Sequence, residues 1–260
     1  MGVLLFIIVT IVALSLAAHL LTPLVPFSAE QKIADAFASK IKPDSTSPSH
    51  VDMTRYLQSL ADRITKAQKL PDEMTIIMHY VETDTVNAFA TLGGHVFFFR
   101  GLLEKIPDEN TLAMVMAHEI AHIKYRHPIK TLGRTVITGT AIAAVNTAIG
   151  GSIISNVLGE TGLLTTLKFS REQEQESDEA AMTALARIYG HVVGANTLFE
   201  ILETAHKNGL QPPEFFSSHP HTGNRIENIT ALATMHQWST TGAITPLPPH
   251  FKHWLKPAKD

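Results

Sequence analysis

The stretch Met114 to His122 contains H-E-x-x-H, made by His118, Glu119 and His122. Histidines at i and i+4 share one face of an α-helix, about 6 Å apart along its axis, so both imidazoles can reach one metal ion. Glu119 is one residue on and can face a water on that metal without binding the metal itself. Zinc-dependent hydrolysis needs this combination: two neutral nitrogen ligands, an open coordination position and a nearby carboxylate base. The motif is short and the chain has 14 histidines, so chance can produce it. Its surroundings argue otherwise. Leu112 to Ala117 is apolar on every side, the mark of a fully buried helix. Two histidines and a glutamate buried there without partners are costly, and a metal gives a reason for their burial.

A third ligand is sought downstream. Phe169 to Glu179 holds four glutamates and an aspartate, which on a helix is ordinarily a solvated face. Helical phase separates them. Ala181, Ala184, Leu185 and Ile188 form a buried stripe that passes back through Asp178 and Glu174. Glu172, Glu176 and Glu179 fall on other faces and read as solvated. An inward carboxylate needs a cation or a donor. Glu174 can be the third zinc ligand, and Asp178 can accept the N–H of His118 or His122 and fix its tautomer. Arg171 can pair with either acid.

Ser217 to Ile226 reads as a loop entering a helix. His219 precedes Pro220, which holds it extended. Such a histidine can donate to a developing oxyanion or occupy the fourth zinc position in a resting state; it can equally be a surface-loop residue. Arg225 either pairs with a buried acid or simply starts the next helix.

The elements that must position these groups follow from periodicity. The spacing predicts helices over Ala29 to Ile41 and Val51 to Leu70, the second with Met53, Leu57, Leu60, Ile64 and Ala67 as its buried stripe. Strands are expected at Thr75–Glu82, Val86–Leu92 and His95–Phe99, with Gly93-Gly94 as a turn and a short helix opening at Gly101. The three form a small antiparallel sheet before the metal helix; if the last strand is an edge, an extended peptide can pair with it beside the metal. Asp108 is placed to cap the metal helix, which ends before Pro128; Lys124, Arg126 and His127 suit its C-terminal dipole. The fold class is α+β, mainly helical.

Val3 to Leu21 is uncharged and nearly all apolar, close to the length needed to cross a bilayer. A retained single-pass anchor over residues 1–27 is the preferred reading; a cleaved signal peptide, with Ser15-Leu16-Ala17 near its site, and a buried core helix are the alternatives. Residues 135–159 carry no charge but are rich in small residues, suiting a helical hairpin that packs on the domain or dips into the membrane surface, with a second span as the minority reading. Residues 28–239 form the metallopeptidase domain and 240–260 a Pro-rich tail on its surface. Hydrophobic content is 45% of 260 residues and net charge is −3, with no basic stripe, so nucleic acid is not a partner. Cysteine is absent, which excludes disulfides, thiolate zinc sites and a lipid-modified N-terminal cysteine.

Taken in order, H-E-I-A-H, then S-R-x-x-E-x-E-S-D, then S-H-P-x-x-x-x-R resembles the HtpX and CaaX-prenyl-protease type of membrane-associated zinc metalloendopeptidases, in the single-anchor branch similar to BepA and LoiP. Asn87-Ala88-Phe89-Ala90 with Gly93-Gly94 carries the same resemblance, which runs from about Val51 to Leu232. It implies a gluzincin fold and one zinc ion per chain on His118, His122 and Glu174. It implies Glu119 as base and then acid, His219 and Arg225 near the site, and Asp178 as a buried acid beside the metal helix. The strand around His95 to Phe98 is implied to hold the substrate backbone, which makes Gly94, His95, Val96 and Phe97 the expected contacts. The implied setting is a catalytic domain on the periplasmic side that hydrolyses unfolded or misassembled envelope proteins. The rival is a zinc-binding chaperone or assembly factor whose protease site is gated and rarely active.

Overall fold

The computed structural model describes residues 24–38, 47–135, 167–207, 214–215, 219 and 224–256. The apolar run 3–21 and nearly all of 135–159 lie outside the described residues. Among those described, no helix is long and apolar enough to cross a membrane.

Three helices form the frame around the H-E-x-x-H motif. Helices α1 (Phe27–Ala38) and α2 (Pro48–Gln68) precede the sheet. In α2, Ser47 caps the backbone N–H of His50 and Pro48 takes the first turn, where a missing N–H costs nothing. Met53, Leu57, Leu60 and Ile64 form its buried stripe, and Lys69 ends it in the left-handed region. After a one-turn helix α3 (Arg100–Leu103) comes α4 (Glu109–Lys124), the metal helix. Asp108 caps it by accepting from Thr111 N–H at 2.7 Å. Glu109 through Ile123 are all buried, as an all-round apolar helix requires. Helix α5 (Arg171–Tyr189) starts with a capping box between Ser170 and Gln173 and ends at Gly190, φ 78°. It packs along α4, and α2 packs on both. Residues 127–135 are helical as well, and helices α6 (Thr197–Lys207), α7 (Arg225–Met235) and α8 (Phe251–Trp254) follow α5.

The sheet is mixed, not antiparallel as expected. Strands β1 (Ile77–Val81), β2 (Ala88–Ala90) and β3 (His95–Phe99) lie in the order β1-β3-β2. β3 runs parallel to β1, pairing Ile77 with His95 and Tyr80 with Phe98, and antiparallel to β2, pairing Ala88 with Phe98 and Ala90 with Val96. The reason is in β3 itself. Val96, Phe97 and Phe98 are buried in succession, on both faces, which suits a central strand; β1 alternates as an outer strand does. The turn from β2 to β3 passes through a 3-10 segment (Leu92–Gly94), where Gly93 and Gly94 have φ of 68° and 89°. A Cβ on Gly94 would lie 1.9 Å from the Thr75 carbonyl oxygen.

Candidate active site

Four side chains converge between α4, α5 and the segment at His219. His118 Nε2 and His122 Nε2 are 3.0 Å apart, brought together by one helical turn of α4. Glu174, on the face of α5 turned to α4, has Oε1 3.5 Å from His122 Nε2 and Oε2 3.4 Å from His118 Nε2. His219 brings Nδ1 to 3.2 Å from His118 Nε2 and 3.1 Å from Glu174 Oε1. All four residues are buried. A tetrahedral zinc ion with bonds of about 2.05 Å sets its ligand atoms about 3.3 Å apart, so these donors have the spacing that zinc imposes. Two buried atoms beside them, Glu119 Oε1 and His219 Nε2, have no hydrogen-bond partner among the described residues. They lie 3.3 Å from each other. Nitrogen and carboxylate donors, and orphaned polar atoms facing the same space, fit a zinc ion with reacting groups beside it.

Charge is balanced around the cluster. Burial works to raise Glu174, yet His219 and His118 hold its carboxyl well below the ordinary range. Burial and the neighbouring His118 push His122 well below its usual value, leaving the neutral ring a metal requires. His118 is raised: burial and Arg225 oppose its charge, but its bonds to Asp178 and Glu174 prevail. Burial, assisted by Glu174, pushes Glu119 up to about 7 against the pull of His219. A carboxyl near neutrality suits a group that must both take and return a proton. Its second oxygen is fixed, because Ala90 N–H donates to Glu119 Oε2 at 2.9 Å.

Behind the ligands stands a layer of partners. Asp178 Oδ1 is 2.9 Å from His118 Nδ1, so the helical-phase reading of α5 holds for both inward acids. The cation that meets them is Arg225, which donates to Asp178 Oδ1 at 2.6 Å and to Glu174 Oε2 at 3.1 Å, its guanidinium over the Phe199 ring. Arg225 therefore acts on the ligands rather than pointing at a reacting carbonyl. Arg171, expected to pair with these acids, is exposed at the first position of α5, outside the cluster. His127, read as a dipole companion, is buried and hydrogen-bonded to His122 Nδ1 at 2.9 Å. Glu176, read as solvated, reaches His127 at 3.1 Å. Phe169 stacks on the His122 ring at 3.9 Å. Helical phase cannot find His127, because it lies beyond the end of α4, and Phe169 precedes the start of α5.

The residues expected to hold substrate serve the sheet instead. β3 is bonded on both sides, so His95, Val96 and Phe97 offer no free edge to a peptide. Gly94 serves the turn. His95 bonds His79, which stacks on Phe97. Of the two outer strands among the described residues, β2 is the one that meets Glu119. Asn87 and Thr91 turn their backbone groups to β3, so those of Ala88 and Ala90 face away from it, and Ala90 N–H meets Glu119.

Helices that supply histidine and glutamate ligands around a buried carboxylate define a zinc metallopeptidase of the H-E-x-x-H class. The chain belongs to peptidase family M48, whose model matches residues 52–233. It is 32% identical over 188 residues to the mitochondrial metalloendopeptidase OMA1 of Schizosaccharomyces pombe, covering 72% of this chain and 55% of that protein. It is 30% identical over 173 residues to the mitochondrial metalloendopeptidase OMA1 of Bos taurus, covering 62% and 33%. To the beta-barrel assembly-enhancing protease of Escherichia coli it is 25% identical over 214 residues, covering 76% and 42%. The chain thus spans about a third to a half of the length of these relatives. Family and relatives support a metalloendopeptidase, and the family uses zinc.

Proposed function

We propose that this chain is a membrane-anchored zinc metalloendopeptidase that cuts unfolded or misassembled envelope proteins. The observation that carries the hydrolytic reading is the buried Glu119 carboxylate, with one oxygen tied to Ala90 and the other unbonded, 3.3 Å from His219 Nε2, on the helix whose His118 and His122 meet Glu174 at zinc spacing. When bound, zinc supplies a Lewis acid for the scissile carbonyl and a water of lowered pKa. Glu119 Oε1 takes the proton of the attacking water and delivers it to the leaving amine. An extended peptide pairs with Ala88 on the β2 edge, which aligns the scissile bond beside Glu119. His219 Nε2, which makes no hydrogen bond among the described residues and lies 3.3 Å from Glu119 Oε1, is the group suited to donate to the oxyanion. The apolar run 3–21 is the basis for the anchor, and the named relatives are the basis for quality control as the task.

One observation favours a second reading, a gated site. His219 Nδ1 stands at the fourth ligand position, where a hydrolytic centre keeps room for water. The same assay tests both. An unfolded model protein is offered to the zinc-loaded chain, to Glu119→Gln and to His219→Ala. Cleavage by the wild type and at least 100-fold less (~10²) by a zinc-bound Glu119→Gln is expected for the base. Equal turnover in that variant refutes the role of Glu119. Faster cleavage by His219→Ala marks a gate; slower cleavage marks His219 as a catalytic donor.

A further inference from the structure

The imidazole of His122 faces the other ligand atoms with Nε2 only. Its Nδ1 lies 2.9 Å from Nδ1 of His127, and His127 Nε2 lies 3.1 Å from Glu176 Oε2. A ligating nitrogen must offer its lone pair, so the proton of neutral His122 sits on Nδ1, and Nδ1 donates. His127 Nδ1 must then accept. Its own proton is left on Nε2, which donates to Glu176. One requirement at the metal therefore assigns every donor and acceptor out to the surface, from a fully buried ligand through a buried ring to a carboxylate that is 48% exposed.

We propose that His127, oriented by Glu176, is a positioning residue that fixes the tautomer and aim of the zinc ligand His122. The proposal rests on the reading of this cluster as a zinc site. The two ligand histidines of α4 are then held by different means. His118 is backed directly by the carboxylate of Asp178; His122 is backed by a neutral ring, with the carboxylate one residue further out. The geometry of the chain end makes this possible. α4 stops at Lys124 and Arg126 turns into the left-handed region at φ 59°, which brings His127 back under His122 instead of carrying it along the helix. Tyr125 stacks on one side of His127, and Phe169 covers the His122 ring. Those rings limit how either imidazole can rotate, so the hydrogen bond decides which nitrogen presents the lone pair.

The test is zinc affinity of the full chain by competition with a chromophoric chelator, beside thermal unfolding of the metal-free protein. His127→Phe keeps a ring of similar size and removes the acceptor. Zinc affinity is expected to fall about 10–100-fold while the metal-free melting temperature stays close to that of the wild type. His127→Asn returns an acceptor to the Nδ1 position and is expected to recover most of the loss. Glu176→Ala, on an exposed face that does not endanger folding, is expected to weaken zinc by about tenfold or less. Wild-type affinity in His127→Phe and Glu176→Ala overturns the proposal, as does an equal loss in the Phe and Asn variants, which would make His127 a packing residue. Failure of the wild type itself to bind zinc sinks the metalloenzyme reading beneath it.

Discussion

Glu119 occupies a position that favours its protonated form in the absence of a metal. Its carboxyl moves from 4.5 to about 7, chiefly through burial. The folded state therefore holds this proton more tightly than the unfolded chain does. Stability from this group is full below about pH 4.5 and is lost as pH rises toward 7; the gap corresponds to about 3 kcal/mol. Gln cannot ionise and keeps the shape. In zinc-free protein, Glu119→Gln is expected to be the more stable form at pH 8, with the advantage shrinking toward pH 5, as read by urea unfolding at the two values. An advantage equal at both would show that ionisation is not its source. Sequence reaches this depth for residues that share a helix. His118 and His122 are one turn apart, and the stripe through Ala181 and Ala184 turns Glu174 and Asp178 inward by phase alone. It does not reach the meeting of His127 with Glu176, nor which buried acids Arg225 pairs with, because those meetings depend on how one helix ends and another lies against it.

At the scale of elements, the hairpin from β2 to β3 connects the site to the sheet. Ala88 and Ala90 present the edge beside Glu119, and Gly94 makes the turn that delivers β3 to the centre. Any side chain at Gly94 meets the Thr75 carbonyl oxygen, a backbone atom that cannot step aside alone, and φ of 89° is strained for an L residue. Gly94→Ala is expected to cost about 2–4 kcal/mol and to lower the melting temperature, although a peptide paired on the β2 edge does not touch Gly94. An unchanged melting temperature would mean that the turn adapts and that a contact role for Gly94 must be reconsidered. The strands themselves were legible from β-branched and aromatic runs, within a few residues. Their order was not, because a short sheet of three runs permits several pairings. One signal for it was present: His95-Val96-Phe97-Phe98-Phe99 lacks the alternation of a half-exposed strand, and a strand buried on both faces belongs in the middle.

At the scale of the whole molecule, both flanks of the described chain close on the ends of the metal helix. At its C-terminal end, the buried Glu30 of α1 pairs with Arg126, which also donates to the Val25 carbonyl at 2.7 Å. At its N-terminal end, Thr245 O accepts from Glu109 N–H at 3.0 Å, and Thr245 N–H donates to Asn110 Oδ1 at 2.8 Å. Phe251 follows, fully buried, with its ring edge-on to Tyr56, whose hydroxyl donates to Glu109 at 3.0 Å. The sequence presents 240–260 as a Pro-rich tail because one anchoring phenylalanine makes no periodic pattern. Its path is irregular up to residue 250, and the burial of Phe251 gives it a structural part in the core. Phe251→Ala is accordingly expected to cost about 3–5 kcal/mol in urea unfolding, the loss of a core aromatic rather than of a surface contact. Because Phe251 leans on Tyr56 and Tyr56 on Glu109, the same variant should loosen the start of α4, two turns before His118. Faster amide exchange at Glu109 to Leu112, with zinc still bound at the other end, is the outcome that makes the tail a brace of the metal helix; a loss under about 1 kcal/mol with exchange unchanged returns it to the surface.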